Sequence, residues 1–595
     1  MVRRDSHNRE GRRRRPRNER DRFSLSVDDG RSYMTDRLSL QAQICTLSRT
    51  DSLYLIMFLM LMGAFVLFLD WPVTESVFHT APGPWVIASE GEIWPLPLHD
   101  IPQDGYFLLQ SSNFQFKVLG ESCDIVDDAI RRYTDILKSA EQTDRRVYDS
   151  SKRYTNYLFK FKGYLTGIDF RLIQPCEKYP HLLMNETYTL KIVESSNTAT
   201  LTAETVWGLL RGLETFSQLW IPTGYNPSLV VKCRTIVDGP RLPHRGLLLD
   251  TSRHFLPLSD ILLTMDAMSY NKLNVLHWHI VDDNSFPYQS MTYPELSVKG
   301  AYHSSMVYTP EDVKKVIEYG RLRGIRILPE FDSPGHTNSW GLAYPGLLTP
   351  CYGSNGKPDG TLGPMNPTDP LIYRFLRGLF SEITQVFPDQ FVHLGGDEVP
   401  FECWASNPDI LEYMRENGMA GNFSRLEEEY IRKLLDITSQ FNASSIVWQE
   451  VFDNGVNLQP NVVVHVWTGH WQNEINLATR AGHPVLLSAC WYLDHIAGGG
   501  DWKKFYNCDP LSFPGNSRQK KLMLGGEACM WGEFVDRNNV HQRIWPRASA
   551  AAERLWSTKT ADYNSAAARL EEHACRMNRR GIPAQPPNGP GFCVL

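Results

Sequence analysis

Eight short apolar runs in the second half of the 595-residue chain constrain its fold more than any other feature. Each run has the length of a buried strand, and segments with helical periodicity separate the runs. The pattern predicts an α/β fold in which eight parallel strands and their helices close a (β/α)8 barrel. A doubly wound open sheet is the alternative, although the sequence lacks the glycine-rich dinucleotide fingerprint. The runs are 246–249, 275–280, 325–328, 391–394, 446–448, 462–467, 485–487 and 522–524.

Polar or aromatic residues follow almost every one of these runs. Each alone is explained by a salt bridge or a core aromatic, but in a barrel of this class the carboxyl ends of the strands share one face and carry the chemistry. Acids, one arginine and several aromatic rings on one face suit a sugar, which offers apolar ring faces and hydroxyls. These residues are Asp250, Arg253, Asp282, Asp332, His336, Asp397, Glu398, Trp448, Glu450, Trp467, Tyr492, Asp494, Trp531 and Glu533.

The segment 393–399 places two adjacent carboxylates, Asp397 and Glu398, after an apolar run and two glycines. Glycine has no Cβ, so the pair would let backbone and ligand approach each other closely. Burying two carboxylates is costly unless they have a function. A helix N-cap followed by an acidic first turn is the other interpretation of this segment.

Local signals also divide the rest of the chain. Residues 85–238 mix short alternating runs with helices near 125–137 and 204–219, which predicts a small α+β domain before a barrel domain at 239–595. Thr309, Pro310 and Asp312 form the start of a helix with a capping box between the second and third runs.

The first 84 residues predict a membrane anchor. An arginine-rich arm at 1–52 precedes an apolar run at 53–69, and a linker at 70–84 follows. That run reaches the lower limit of about 17 residues for a span, and the preceding arginines favour a cytoplasmic N-terminus. We expect a type II signal anchor, with the body lumenal or extracellular and shedding possible in the linker. A short span favours the Golgi over the plasma membrane, and a cleaved signal peptide is the rival interpretation.

The net charge and the cysteine content indicate which classes of binding partner and which cellular compartment are expected. A formal net charge of -6 at pH 7 argues against nucleic acid as the main partner. Eleven cysteines fit an oxidising compartment, where Asn185, Asn422 and Asn442 would be glycosylation acceptors. The cysteine spacing resembles no zinc site, and Cys45, before the predicted span, is expected to be a free cytosolic thiol.

The barrel region resembles a known family. The His-Leu-Gly-Gly-Asp-Glu-Val segment at 393–399 resembles the signature of family 20 glycoside hydrolases, and residues from about 85 to 595 are similar to animal β-N-acetylhexosaminidases. The segments 243–254, 277–279, 331–336 and 525–533 contribute to the similarity. The resemblance implies substrate-assisted hydrolysis, in which the 2-acetamido oxygen of the sugar attacks the anomeric carbon. It requires no metal and no cofactor, and it implies a glycan substrate and a homodimer.

The resemblance also implies residue roles. Glu398 would be the general acid and base, with its pKa raised by a closed apolar pocket, and Asp397 would stay ionised beside the acetamido nitrogen. Arg253 and Glu533 would bind sugar hydroxyls, and Tyr492 would donate to the acetamido oxygen. The remaining residues would wall the pocket or orient Glu398: Trp448, Trp467, Trp531, Asp282, His336 and Asp332.

Family matches suggest three disulfides, Cys123–Cys176, Cys351–Cys403 and Cys575–Cys593. Cys490 and Cys508 have no such counterpart, but they bracket the loop that carries Tyr492 and Asp494, and we expect a fourth bridge there. Cys529 is expected to be a buried free thiol, and Cys233 has no evident partner.

The physiological substrate is left open between two alternatives. Relatives that accept anionic sugars carry a cation near Tyr492, whereas this chain has Asp494 and His495, which disfavours an anionic substrate. The anchor and the Cys490–Cys508 loop resemble the insect fused-lobes type, which removes terminal GlcNAc from N-glycans. Breakdown of chitooligosaccharides is the alternative. The terminal sugar that is removed could be GalNAc as well as GlcNAc. Two alternative functions remain open: an inactive sugar-binding protein, and another barrel glycosidase that uses two facing carboxylates.

Overall fold

The computed structural model describes residues 83–142, 160–222, 228–495, 499–559 and 562–593. The arginine-rich arm, the predicted span at 53–69 and nearly all of the predicted linker lie outside these residues. Within the part of the chain that is described, no helix combines the length and apolarity needed to cross a membrane.

The N-terminal domain is built on one mixed eight-stranded sheet, in the order β2-β4-β6-β5-β8-β1-β3 with β7 paired to β8. One of the alternating runs that the sequence shows in this domain is β5 (Tyr188–Ile192), in which every second residue is buried. Two helices, α1 (Asp124–Glu141) and α2 (Val206–Gln218), match the predicted helices of this domain. Its strands are β1 (His99–Leu109), β2 (Gln115–Val118), β3 (Phe161–Leu165), β4 (Gly167–Leu172), β5 (Tyr188–Ile192), β6 (Thr198–Ala203), β7 (Ile221–Pro222) and β8 (Leu229–Asp238).

A closed barrel of eight parallel strands follows, in the order β10-β11-β14-β15-β16-β17-β18-β9. Each of the eight predicted runs overlaps one of these strands, so the barrel prediction is confirmed. The barrel strands are β9 (His244–Asp250), β10 (Val275–Val281), β11 (Arg326–Phe331), β14 (Phe391–His393), β15 (Ser444–Trp448), β16 (Val463–Val466), β17 (Val485–Leu487) and β18 (Met523–Met530).

Helices connect the barrel strands, and the predicted capping box of Thr309 and Asp312 opens α5. An antiparallel pair, β12 (Leu348–Tyr352) and β13 (Pro358–Met365), was not predicted, because its proline and glycine content is typical of loops. The helices are α3 (Leu258–Tyr270), α4 (Glu295–Gly300), α5 (Pro310–Arg321), α6 (Asn338–Ala343), α7 (Pro370–Val386), α8 (Phe401–Ser406), α9 (Pro408–Glu416), α10 (Phe423–Ser439), α11 (Gln449–Asp453), α12 (Trp471–Ala481), α13 (Trp502–Asn507), α14 (Ser517–Lys520), α15 (Val540–Ile544), α16 (Arg547–Trp556) and α17 (Tyr563–Arg579).

The barrel interior is layered, because alternate residues of each strand point inward. The first layer is apolar and contains Val275, Leu328, Phe391, Ile446, Val463 and Leu486. Two residues further along the strands lie ionisable groups, here called the charged layer: His277, Glu330, His393, His465 and Glu527. Trp448, Leu248 and Cys529 follow and form the floor of a pocket at the carboxyl ends of the strands.

The described residues include four disulfides, Cys123–Cys176, Cys351–Cys403, Cys490–Cys508 and Cys575–Cys593. They join the same pairs that the sequence led us to expect. Cys233 and Cys529 are free and buried, and Cys45 lies outside the described residues.

Candidate active site

The two glycines before the carboxylates make room for the protein's own side chains. Gly395 and Gly396 have φ angles of 70° and 96°, which glycine adopts without a steric penalty. A Cβ on Gly395 would lie 1.7 Å from Oδ1 of Asp332, and one on Gly396 would lie 2.5 Å from Val451. The space that we expected a ligand to use is therefore filled by these two side chains.

Asp397 and Glu398 have different surroundings although they are adjacent. Asp397 is buried, whereas the side chain of Glu398 is 62% exposed and its φ of 50° is in the left-handed region. Such a backbone conformation is unfavourable for a residue with a Cβ and often occurs at functional sites. The closed apolar pocket predicted around Glu398 is wrong for this structure, because the residue lies on the open loop that leads to α8.

His336 connects both carboxylates to the barrel wall. Its Nε2 lies 3.8 Å from Oδ1 of Asp397 and 3.8 Å from Oε2 of Glu398, and its Nδ1 lies 3.2 Å from Oδ1 of Asp282. Burial lowers the pKa of this imidazole, but the surrounding carboxyl groups outweigh burial and raise the pKa to about 11. His336 is therefore a cation beside the two carboxylates.

Asp332 lies beneath this group and accepts a hydrogen bond from the backbone N–H of Gly396 at 2.8 Å. Burial, followed by the negative charge of Asp397, raises the pKa of Asp332 well above its ordinary value. Asp332 therefore keeps its proton at a pH where exposed carboxyl groups have lost theirs.

Arg253 is held in place by three carboxylates, one of which, Asp282, also contacts His336. Its guanidinium lies 3.0 Å from Oδ2 of Asp250 and 2.8 Å from Oδ2 of Asp282, with Oε1 of Glu533 at 3.9 Å. Burial lowers the pKa of Arg253, but Asp250 and Asp282 outweigh burial, so the net shift is upward. The guanidinium also lies 5.2 Å from the ring of Trp531. A fixed cation with two donors suits the hydroxyls of a sugar.

Three aromatic rings, those of Trp467, Tyr492 and Trp531, pack against the pocket floor, to which Trp448 belongs. The Trp448 and Trp531 rings are 6.0 Å apart, and those of Trp467 and Tyr492 are 6.1 Å apart and stacked. Tyr492 pairs with Cys529 of β18 in an isolated parallel bridge, which fixes the tyrosine against the barrel. Burial raises the pKa of Tyr492, so its hydroxyl remains a hydrogen-bond donor.

Glu450, to which the sequence assigned no role, orients one of these rings. The indole N–H of Trp467 donates to both carboxylate oxygens of Glu450, at 2.9 and 2.8 Å. Burial and the nearby charge of Asp397 raise the pKa of Glu450 to about 7. Glu450 therefore supports the pocket wall and changes its charge close to neutral pH.

Asp494 and Glu533 lie nearer the pocket mouth. The side chain of Asp494 is 20% exposed, and its Oδ2 lies 3.9 Å from Nε2 of His495. Burial raises the pKa of Asp494, and the charge of Glu533 adds to the rise. The Cys490–Cys508 disulfide spans the loop that carries Asp494.

The charged layer beneath the pocket was missed by sequence reasoning. Glu330 and Glu527 are completely buried among His277, His279 and His393. The available signal was a single carboxylate in each of two strands, Glu330 in β11 and Glu527 in β18, together with two histidines at period two in β10. A buried charge requires a partner, so such residues predict pairing inside the barrel.

Three groups of residues within the described ranges bring ligand atoms within 4.8 Å of one another, as a cation site would require. In each group a histidine already contacts a carboxylate or another histidine, so hydrogen bonds and ion pairs account for the clustering. The groups are His277 with His393 and His465, Asp282 with Asp283 and His336, and Asp332 with His336 and Asp397.

The three predicted glycosylation acceptors, Asn185, Asn422 and Asn442, are all exposed. Asn185 accepts hydrogen bonds from the backbone and side chain of Thr187. Asn422 caps the start of α10.

A family model described as "Glycosyl hydrolase family 20, catalytic domain" matches residues 242–559, more than half of the chain. The chain belongs to glycosyl hydrolase family 20. A second model, described as "beta-acetyl hexosaminidase like", matches residues 93–219 of the same chain.

Relatives of known name support a narrower assignment within family 20. The chain is 48% identical to human beta-hexosaminidase subunit beta over 530 residues, which is 87% of this chain and 92% of the relative. It is also 48% identical to the alpha subunit from Bos taurus, covering 84% of this chain and 95% of that one. A solved chitobiase structure from Flavobacterium johnsoniae aligns with a TM-score of 0.69 and 27% identity, over 82% of this chain and 73% of the other. The chain is a glycoside hydrolase of the β-N-acetylhexosaminidase type.

Proposed function

We propose that this β-N-acetylhexosaminidase removes terminal, non-reducing GlcNAc from N-glycans by substrate-assisted hydrolysis with retention of configuration. One observation carries the mechanistic part: Asp397 is buried against the pocket, whereas the adjacent Glu398 extends into solvent, where a leaving group would lie. Two carboxylates with such different surroundings can take separate roles in one reaction.

In the first step, the acetamido oxygen of the bound sugar forms a bond to the anomeric carbon, and the bond to the leaving oxygen breaks. Glu398 gives its proton to that leaving oxygen. Asp397 stays ionised and stabilises the positive charge that develops on the acetamido group. In the second step, water attacks the anomeric carbon and gives a proton to Glu398, and the bond between that carbon and the acetamido oxygen breaks, which restores the acetamido group.

The other pocket residues hold the sugar while this happens. Arg253, fixed by Asp250 and Asp282, binds sugar hydroxyls together with Glu533. Tyr492 donates to the acetamido oxygen. Trp448, Trp467 and Trp531 enclose the acetamido methyl group and the sugar ring.

Substrate assistance is tested with a thiazoline that mimics the cyclic intermediate. Asp397→Asn should weaken binding of the thiazoline more than binding of free GlcNAc, because only the intermediate carries the positive charge. Equal losses for the two ligands in calorimetric titrations would argue against the mechanism.

N-glycans and chitooligosaccharides are separated by comparing kcat/KM on a biantennary N-glycan with kcat/KM on chitobiose. A clear preference for the N-glycan is expected. Equal rates or a preference for chitobiose would favour the alternative, which the similarity to a chitobiase supports. Absence of turnover on both would favour an inactive sugar-binding protein. The same panel with GalNAc at the terminus measures tolerance of that sugar.

We also propose that residues 53–69 anchor the protein in a Golgi or plasma membrane as a type II protein, with the body lumenal or extracellular and Asn185, Asn422 and Asn442 glycosylated. Apolar composition and flanking arginines support the anchor. Alkaline carbonate extraction of cells expressing the full chain provides the test. Full-length protein in the soluble fraction, starting beyond residue 69, would show that the run is a cleaved signal.

A homodimer is proposed as well, since the relatives are named as subunits. Light scattering of the purified body should give twice the monomer mass. A monomeric mass at micromolar concentration would contradict the dimer.

A further inference from the structure

Glu330, at the centre of the charged layer, touches more than one part of the pocket from below. It lies near the end of β11 and has no exposure to solvent. Its Oε1 accepts the indole N–H of Trp448 at 2.8 Å and lies 3.0 Å from Nδ1 of His393. Its Oε2 lies 2.5 Å from Nδ1 of His279 and 3.0 Å from Nε2 of His277.

His279 continues this connection toward the sugar-binding residues. It is the register partner of Glu330 across the β10–β11 pair. Its second nitrogen, Nε2, lies 2.8 Å from Oδ2 of Asp282. Both ring nitrogens therefore face carboxylate oxygens, and each must donate a proton, so the ring is an imidazolium. Burial lowers the pKa of His279, but the charge of Glu330 and the bond to Asp282 raise it to about 10.

Asp282 contacts two pocket residues, Arg253 and His336, in addition to His279. The oxygen that faces His279 also lies 2.8 Å from Nη2 of Arg253, and the other oxygen lies 3.2 Å from Nδ1 of His336. Negative and positive charges thus alternate along a chain of contacts from Glu330 through His279 and Asp282 to His336. This chain of contacts ends beside Asp397 and Glu398. Each bond in it orients the next group.

We propose that Glu330 and His279 are positioning residues for hydrolysis. Through His279, Glu330 fixes Asp282 and therefore the orientation of Arg253 and His336. Through its other oxygen, it fixes the indole of Trp448 in the pocket floor. The inference deepens the proposed function, because it rests on the roles proposed there for Arg253 and Trp448.

A purely structural role explains the charged layer less well. Buried ion pairs add little stability compared with apolar residues of similar volume. The layer next to it, which includes Val275, Leu328 and Leu486, shows that apolar side chains fill this barrel. Charges are directional, so they can set the angle of groups above them, which apolar side chains do only weakly.

The charges that face this connection balance one another. His277 lies between Glu330 and Glu527, and burial lowers its pKa while both carboxylates raise it to about 9. Burial dominates at His393 and leaves its pKa lowered. The remaining charged or titratable groups around the chain of contacts are Asp250 and Arg253 after β9, Asp282 after β10, Asp332 after β11, His465 on β16 and Glu527 on β18. The carboxylates of Glu330 and Glu527 are thus matched by the imidazolium ions of His277 and His279. Closer to the pocket, Asp250 and Asp282 are matched by Arg253 and His336.

The test compares Glu330→Gln with Glu527→Gln, which removes an equally buried carboxylate from the same layer. Glu527 contacts His244 and His277 but makes no bond to His279 or Trp448. In Glu330→Gln, His279 loses its closest anion, and its pKa falls toward the ordinary histidine range. We expect a new ionisation in the pH profile of kcat between about pH 6 and 8, with kcat lowered on the order of tenfold or more. Glu527→Gln should lower Tm and leave the profile as in the wild type.

His279→Gln serves as a second variant if Glu330→Gln does not fold, and it should lower kcat to a similar extent. The double variant should be no worse than either single one, because both break the same connection. An unchanged pH profile and kcat in folded Glu330→Gln, or equal changes in Glu527→Gln, would overturn the inference. Asp282→Asn tests the last link: wild-type kcat and KM in this variant would also overturn the inference. Arg253→Gln tests the proposed function separately, because an unchanged KM and kcat there would contradict the role of Arg253 in sugar binding, whatever the outcome for Glu330.

Discussion

The interiors of the two domains are filled in different ways. Between the N-terminal sheet and helices α1 and α2 lies an apolar cluster that includes Leu190, Leu201, Leu213 and Phe216. The barrel interior has an apolar layer at one end, then the charged layer, then the pocket floor. Both interiors are buried. The N-terminal cluster also holds single polar contacts, such as the hydrogen bonds from Tyr133 to Glu214 and from Tyr188 to Asp238, whereas the barrel interior has a whole layer of ionisable groups.

This difference shows how the barrel combines stability with a site. Apolar burial is non-directional, so an apolar core tolerates changes of shape and stabilises in proportion to area. Ion pairs and hydrogen bonds specify angle and distance, and burying them costs stability unless every partner is present. The apolar clusters of both domains supply stability, and the charged layer of the barrel accepts a cost in stability in order to hold the pocket residues in place.

The largest expected effect is a loss of kcat on replacing Glu398, the exposed carboxylate of the site. Glu398→Gln should reduce kcat on substrates with poor leaving groups by about 10²–10⁴-fold, because the variant cannot give up a proton. Tm should stay within experimental error, because the side chain is mostly exposed. A variant with near-normal turnover on such substrates would refute the role of this residue.

A substitution in the apolar core of the N-terminal domain should instead lower stability and leave kcat unchanged. Leu201→Ala should lower the free energy of unfolding by about 2–5 kcal/mol, because the cavity cannot fully close. The kcat of the folded fraction should be unchanged. Thr202→Ala, on the other face of β6, is the matched control and should change stability by less than about 0.5 kcal/mol. Urea unfolding and kcat per folded molecule measure both effects, and a loss of kcat in Leu201→Ala would link this core to the site.

A buried carboxyl group that is not paired with a cation should lower the stability of the folded protein as the pH rises. Glu427 on α10 is completely buried, and one of its oxygens accepts a hydrogen bond from Asn454 at 2.9 Å. Burial raises its pKa from 4.5 to about 8. Between these values the unfolded chain releases the proton while the folded protein keeps it, so the contribution of Glu427 to stability falls as pH rises.

Glu427→Gln removes this titration. Its stability relative to the wild type should therefore increase from pH 5 to pH 8, by roughly 3.5 kcal/mol. Glu416→Gln, at an exposed position, should show no such trend. Denaturant unfolding at several pH values measures the difference, and a constant difference across the range would show that Glu427 ionises normally.

The smallest effect concerns charge at the pocket mouth. Asp494→Asn should improve cleavage of 6-sulfated GlcNAc relative to neutral GlcNAc by about 1 kcal/mol, roughly fivefold, because one like charge is removed. The neutral sugar is the internal reference. An unchanged ratio of kcat/KM values would show that Asp494 does not set charge preference.

Much of the barrel followed from the sequence because its signals are local. Apolar runs such as 462–467 and the capping box at Thr309 depend only on neighbouring residues, and the structure has β16 and α5 at these places. The residues at the strand ends could be assigned to one pocket once the barrel was inferred, because parallel strands share their carboxyl ends.

The tertiary structure alone decided which groups contact one another. Glu330 is 51 residues from His279 and 118 from Trp448 along the chain, and only the register of β10 with β11 and the closure of the barrel bring them together. Likewise, Asp332 occupies the space beside Gly395, and Glu398 faces solvent. The residue types and strand positions were determined by the sequence itself, whereas pairing, exposure and charge depend on packing between segments that are distant in the chain.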